Sequence, residues 1–130
     1  MIGAIIQARM GSARLPGKVL KKLSDSSLLE FQIDRIKEAK NIDIIIVATT
    51  TESSDDAIEY FCNEKGIQCF RGSENDVLSR YYDCAKDNQI ETIVRLTADC
   101  PLTDPIIIDN VVDLYLHKEV DYASNTIPPE

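Results

Sequence analysis

Histidine is nearly absent from this chain, occurring once at His117, and none of its four cysteines, Cys62, Cys69, Cys84 and Cys100, forms a C-x-x-C pair. A zinc site or a disulfide framework therefore has little support. The thiols are read as buried or half-buried packing groups. Cys100, between Asp99 and Pro101, has no histidine or other clear base near it in sequence, so packing is favoured over nucleophilic chemistry there too. No apolar run approaches the roughly 20 residues that a membrane span needs. The amino terminus shows no cationic leader followed by an apolar stretch and a small-residue cleavage site. A cytoplasmic protein with no membrane partner is expected.

Acidic residues are missing from the first 24 positions, which carry Arg9, Arg14, Lys18, Lys21 and Lys22, although the chain holds 22 acidic residues and a net charge of −8. In so acidic a protein, cations gathered in one stretch need a local purpose. A general nucleic-acid binder would spread basic charge over a face, so nucleic acid is not expected as a partner.

What is present suits one globular α/β domain: 130 residues, 44% hydrophobic and 28% charged. Ile2–Ala8, Asp43–Ala48, Gln68–Arg71 and Thr92–Leu96 read as strands, mostly continuous and β-branched as buried parallel strands are. Helices fall between them. Ser27-Leu-Leu-Glu30 resembles a capping box opening a helix to about Ala39. Ser53-x-x-Asp56 and Ser73-x-x-Asp76 open two more, to about Lys65 and Lys86. Asp104-Pro105 supplies a cap and a first-turn proline for a fourth, with Ile107, Ile108, Val111, Val112 and Tyr115 as its buried stripe. His117 falls near that helix's end and is read as a surface or dipole-interacting group. The order β-α-β-α-β-α-β-α predicts a three-layer α/β/α fold around a mostly parallel sheet.

Such sheets bind ligands at the carboxyl ends of their strands. The loop after the first strand carries Arg9, Gly11, Ser12, Arg14, Gly17 and Lys18, and the loop after the fourth carries Thr97, Asp99 and Asp104. Two arginines, a lysine and two glycines after a buried strand point to a polyphosphate cradle, in which arginine gives bidentate contact and lysine a point charge. Solvated loop charges are the alternative. The loop is not a Walker A loop, because five residues separate Gly11 from Gly17 and Val19 follows Lys18, and no G-x-G-x-x-G is present. Ser12 is either a phosphate contact or an ordinary turn residue, while Pro16 and Gly17 shape the loop. Asp99, just after a strand and opposite the cations, is the kind of carboxylate magnesium takes alongside phosphates. Asp104 fits a helix cap better than a metal ligand. Arg95 lies in an apolar strand and, if buried, needs an ionic partner or a substrate.

Three blocks, Gln7-Ala-Arg-Met-Gly-Ser-Ala-Arg-Leu-Pro-Gly-Lys-Val-Leu20, Phe70-Arg-Gly-Ser-Glu-Asn-Asp-Val-Leu-Ser-Arg-Tyr-Tyr82 and Arg95-Leu-Thr-Ala-Asp-Cys-Pro-Leu-Thr-Asp-Pro105, together resemble the sugar cytidylyltransferases of the spore-coat-polysaccharide (SpsF-like) and acylneuraminate or KDO type. The third block has Ala98 where the SpsF-like branch usually has glycine. The resemblance implies a Rossmann-like nucleotidyltransferase fold and transfer of CMP from CTP to a sugar or sugar acid, with release of pyrophosphate. It implies Ala8, Arg9, Gly11, Ser12, Arg14, Lys18, Arg71 and Thr97 at the nucleotide, Arg9, Arg14, Lys18 and Asp99 in the reaction, and Mg2+ on Asp99. Arg71 would meet the base or ribose; a capped helix with an exposed Asp76–Arg80 pair is an equally good account of its block.

Asp121-Tyr-Ala-Ser-Asn-Thr-Ile-Pro-Pro-Glu130 resembles the start of a segment that in the family continues for roughly another hundred residues. That continuation holds the sugar site, dimer contacts and a second metal-binding aspartate. Residues 1–130 are therefore expected to form a single nucleotide-binding domain without the sugar-binding and dimerisation part, and a homodimer is left open. The sugar is not specified. A non-catalytic nucleotide-binding module of the same fold, and a nucleotidyltransferase using another nucleotide, are the alternatives.

Overall fold

The computed structural model describes residues 1–10, 22–23, 26–97 and 105–118. Among these residues, six strands and four α-helices follow one another: β1 (Ile2–Gln7), β2 (Lys22–Leu23), β3 (Ser26–Ser27), α1 (Leu28–Ile36), β4 (Ile44–Thr50), α2 (Asp56–Lys65), β5 (Gln68–Gly72), α3 (Val77–Asp87), β6 (Thr92–Thr97) and α4 (Pro105–Lys118). The main sheet has the order β5-β4-β1-β6, and all its pairings are parallel. Gly3 lies beside Ile44 and Ile93, and Ile46 beside Gln68. β2 and β3, absent from the sequence reading, form a separate antiparallel pair.

Period-two alternation in the central strands divides the core into two layers. Ala4, Ile6 and Val47 face α1, α2 and α4 through Leu29, Ile33, Ile36, Ile58, Cys62, Ile108 and Val112. Ile5, Ile46 and Ala48 face α3 through Tyr81, Cys84 and Ala85. The expected three-layer α/β/α arrangement is therefore present, and it explains why these strands carry apolar residues on both faces. Among the described residues no helix is long and apolar enough to cross a membrane.

Local chemistry moves several boundaries. Regular α1 stops at Ile36 and passes through turns to Ala39, whose N–H reaches the Ile36 carbonyl at 2.9 Å. A 3-10 turn, Ser53–Asp55, precedes α2. Gly66, at φ 70°, closes α2 in the left-handed region that glycine enters without strain. α3 is capped by Asp76, which accepts from the Ser79 N–H at 3.0 Å, while Ser73 Oγ accepts from Asp76 N–H one turn earlier. In α4, Ile108 and Val112 are buried but Ile107 is exposed, so the apolar stripe is narrower than its five-residue pattern. The Asp109 carboxylate ties α4 to the α1–β4 connection through the Lys40 and Asn41 amides, at 2.9 and 2.8 Å.

Cys62 and Cys84 are buried and Cys69 is half-buried, all as free thiols, in line with packing roles; Cys100 lies outside the described residues. Burial pushes the Cys84 thiol up to about 12. A hydrogen bond with Cys69, then burial, raises Cys62, and the same bond lowers Cys69. At pH 8 a thiol titrating near 12 is only about one part in 10⁴ thiolate, the reactive form. Brief iodoacetamide treatment of the native protein at pH 8 is expected to alkylate Cys69 ahead of Cys62 and Cys84, which react only after denaturation. Peptide mass spectrometry checks this, and equal native labelling of Cys84 and Cys69 contradicts it.

Candidate functional site

Because the main sheet is parallel, β1, β4, β5 and β6 all end on one rim, at Gln7, Thr50, Gly72 and Thr97. The chain leaving β1 stays on the sheet for one more residue, the Ala8 N–H donating to the Ala48 carbonyl at 3.0 Å. Ala8 is buried, and Arg9 follows with its side chain one-third exposed.

Arg9 Nη2 lies 3.3 Å from Glu52 Oε1, and its Nε lies 4.0 Å from Asp55 Oδ2. Asp55 is fully buried. Its carboxylate accepts the Met10 N–H at 2.8 Å and the Thr50 hydroxyl, and Thr50 Oγ1 accepts the Glu52 N–H at 3.2 Å. A buried carboxylate survives only when bonded and paired in this way. Asp55 thereby joins the exits of β1 and β4 and sets where Arg9 emerges. Nothing in the local pattern announces this role, since Asp55 lies inside what reads as a helix start.

Arg71, near the end of β5, spends its donors on the β4–α2 connection. Nε reaches the Thr50 carbonyl and Nη2 the Glu52 carbonyl, both at 2.7 Å. Nη1 reaches Asp56 at 2.6 Å and Glu59 at 3.4 Å. The Asp56 hydrogen bond is the largest influence raising the Arg71 pKa above its ordinary value. The expected contact with base or ribose thus meets a side chain already engaged in holding the rim together.

Arg80 departs most from the sequence reading. It is not half of an exposed pair with Asp76 but is completely buried, with Nη1 donating to the Ser73 carbonyl at 2.7 Å. Its Cγ would lie 3.2 Å from a Cβ on Gly72, so the side chain passes directly over the end of β5. Arg95, expected in a buried strand, is exposed, because β6 is an edge of the sheet among the described residues. Its guanidinium stacks 4.5 Å from the centre of the Tyr81 ring, whose hydroxyl donates to the Leu96 carbonyl at 3.0 Å.

The rim therefore gathers Ala8, Arg9, Arg71, Arg80 and the backbone of Thr97, which pairs with Gln7. Gly11, Ser12, Arg14, Pro16, Gly17, Lys18, Asp99 and Asp104 lie outside the described residues. Among the described residues no cluster of three His, Cys, Asp or Glu side chains could hold a metal. Glu52 and Asp55, the carboxylates beside Arg9, are engaged by Arg9, Thr50 and the Met10 amide.

Residues 3–129 match the family model described as cytidylyltransferase. The chain is 49% identical to an uncharacterized protein of Methanocaldococcus jannaschii, over 92% of this chain and 49% of that one. It is 38% identical to the spore coat polysaccharide biosynthesis protein SpsF of Bacillus subtilis, over 92% of this chain and 51% of SpsF. Its fold superimposes on the solved structure of a cytidylyltransferase from Leptospira borgpetersenii with a TM-score of 0.85 and 47% identity, over 91% of this chain and 50% of the other. The chain spans about half the length of the curated relatives it matches.

Proposed function

The chain belongs to the cytidylyltransferase family, and from that premise we propose that it binds CTP at the carboxyl rim of its sheet and serves transfer of CMP to a sugar or sugar acid, for spore-coat or other cell-surface polysaccharide. The observation that carries this reading is the delivery of Arg9 to the rim by the central strand β1, where Asp55 and Glu52 hold it while a third of its side chain stays open. In such a transfer a sugar hydroxyl oxygen attacks the α-phosphorus, the bond to the β-phosphate breaks and pyrophosphate leaves. Catalysis rests on positioning and on neutralising phosphate charge. Arg9, Arg14 and Lys18 would hold the β- and γ-phosphates, with Ser12 and the backbone around Gly11 close to them. Asp99 would hold magnesium, which supplies charge neutralisation near the α-phosphate.

Calorimetric titration with CTP, ATP and GTP, with and without magnesium, tests the reading. Selective CTP binding that tightens with magnesium is expected. Arg14→Ala or Lys18→Ala is expected to weaken CTP binding by about 1.5–3 kcal/mol, the range for a charge-assisted hydrogen bond. Unchanged affinity in both variants removes the cradle assignment. Coverage of about half of each relative favours a second reading for these 130 residues taken alone, a nucleotide-binding module without turnover. CMP-sugar formation by the isolated chain would exclude it.

A further inference from the structure

Among the described residues, three buried guanidinium N–H groups at this rim have no hydrogen-bond partner: Nε of Arg9, and Nε and Nη2 of Arg80. Nε and Nη2 form the side-on fork of a guanidinium, the pair of parallel donors that meets two oxygens of one oxyanion. Nη1, on the other side of the group, is already taken by the Ser73 carbonyl. A buried, charged fork left empty is costly to the folded state, and proteins keep such an arrangement where a ligand completes it. Charge points the same way. Burial, and then the positive charge of Arg9, pull the Arg80 pKa below its ordinary value, with Asp55 as a partial counterweight. The two cations are close enough to repel, and Glu52 and Asp55 both lie against Arg9, so the Arg80 fork is the donor pair of this cluster that has no oxygen on it among the described residues.

We propose that Arg80 is an oxyanion-binding residue of the rim, its Nε/Nη2 fork receiving a phosphoryl group that Arg9 contacts from the β1 side. This rests on the reading of the rim as a nucleotide site and adds to it a cation from α3, a helix remote in sequence from the Arg9–Lys18 loop. A phosphoryl group suits the fork because two of its oxygens can accept from Nε and Nη2 together. A Cβ on Gly72 would lie 2.9 Å from Phe70 Cε1 and 3.2 Å from Arg80 Cγ, so the bare Cα leaves room for both the ring and the Arg80 stem.

The probe is tripolyphosphate, which has neither base nor ribose, measured by calorimetry and by its effect on the thermal midpoint and compared with CTP and inorganic phosphate. Wild-type protein is expected to bind tripolyphosphate and melt higher in its presence. Arg80→Gln is expected to bind it at least tenfold more weakly, and Arg80→Lys, which keeps the charge without the fork, to fall between. Because Arg80→Gln removes a buried cation but also the donor to the Ser73 carbonyl, its affinity is measured below its own melting midpoint, on folded protein. Equal tripolyphosphate affinity in wild type and Arg80→Gln overturns the proposal, whatever the stability of the variant. Affinity for tripolyphosphate lost in Arg80→Gln but no preference for CTP over ATP in wild type would leave the oxyanion seat standing and remove the cytidylyl reading. A CTP preference retained with Arg80→Gln unaffected would do the reverse. Inorganic phosphate matching tripolyphosphate would assign the fork to single phosphate groups.

Discussion

Asp55→Ala is expected to lower the free energy of unfolding by about 3–5 kcal/mol, the range for removing one partner of a buried charge pair. The substitution strands the Met10 N–H and the Thr50 hydroxyl without their acceptor and takes from Arg9 a fully buried acid beside it. It also leaves Arg9 and Arg80 with no buried carboxylate between their fields. Against the about 5–15 kcal/mol that holds a typical domain folded, this is a large fraction. Asp55→Asn keeps the shape and one acceptor oxygen and is expected to fall between alanine and wild type. Urea denaturation followed by circular dichroism measures all three. A loss below about 1 kcal/mol in Asp55→Ala would mean that water replaces the carboxylate at no cost and that Arg9 is positioned by something else.

Arg71→Ala is expected to cost about 2–3 kcal/mol of stability. The cost comes from the two carbonyls of Thr50 and Glu52, each accepting a charge-assisted hydrogen bond from a side chain that is only 17% exposed. The bonds to Asp56 and Glu59 contribute little, because those carboxylates are 68% and 46% exposed and water competes for them. Arg71→Lys is expected to recover only a small part of the loss, since an ammonium cannot span two carbonyls as the planar fork does. Measuring CTP affinity on the folded variant separates the two roles of this residue. A change below about threefold, well under 1.4 kcal/mol, marks Arg71 as a support of the β4–α2 connection. A loss of tenfold or more with stability unchanged would return it to the base or ribose.

The periodicity of the chain made most of the fold legible. β1, β4, β5 and β6 begin within a residue of the apolar runs that announce them, and Pro105 opens α4 as its fixed φ predicts. Boundaries moved where a capping side chain worked one turn away from its apparent place, as at Ser73 and Asp76, where only geometry shows which oxygen faces which amide. Arg95 was misplaced because an apolar strand reads the same at the edge of a sheet as at its centre. Of the candidate site, the cationic stretch from Arg9 to Lys18 was visible as charge without acid. The counter-charges of Arg9 were not, since Glu52 and Asp55 look like the ordinary acidic start of a helix.

By itself, the sequence determined the alternation of strands and helices, the side of the sheet on which the loops after β1 and β6 emerge, and the family to which the three blocks belong. Those properties depend on neighbours a few residues apart, and residue order is sufficient to specify them. Tertiary structure alone decided that Arg9 answers to Asp55, that Arg71 straps the chain leaving β4, and that Arg80 lies buried with an empty fork. These depend on which strand lies beside which and on how much water each charge keeps, and both are settled only when the order β5-β4-β1-β6 brings distant segments to one rim.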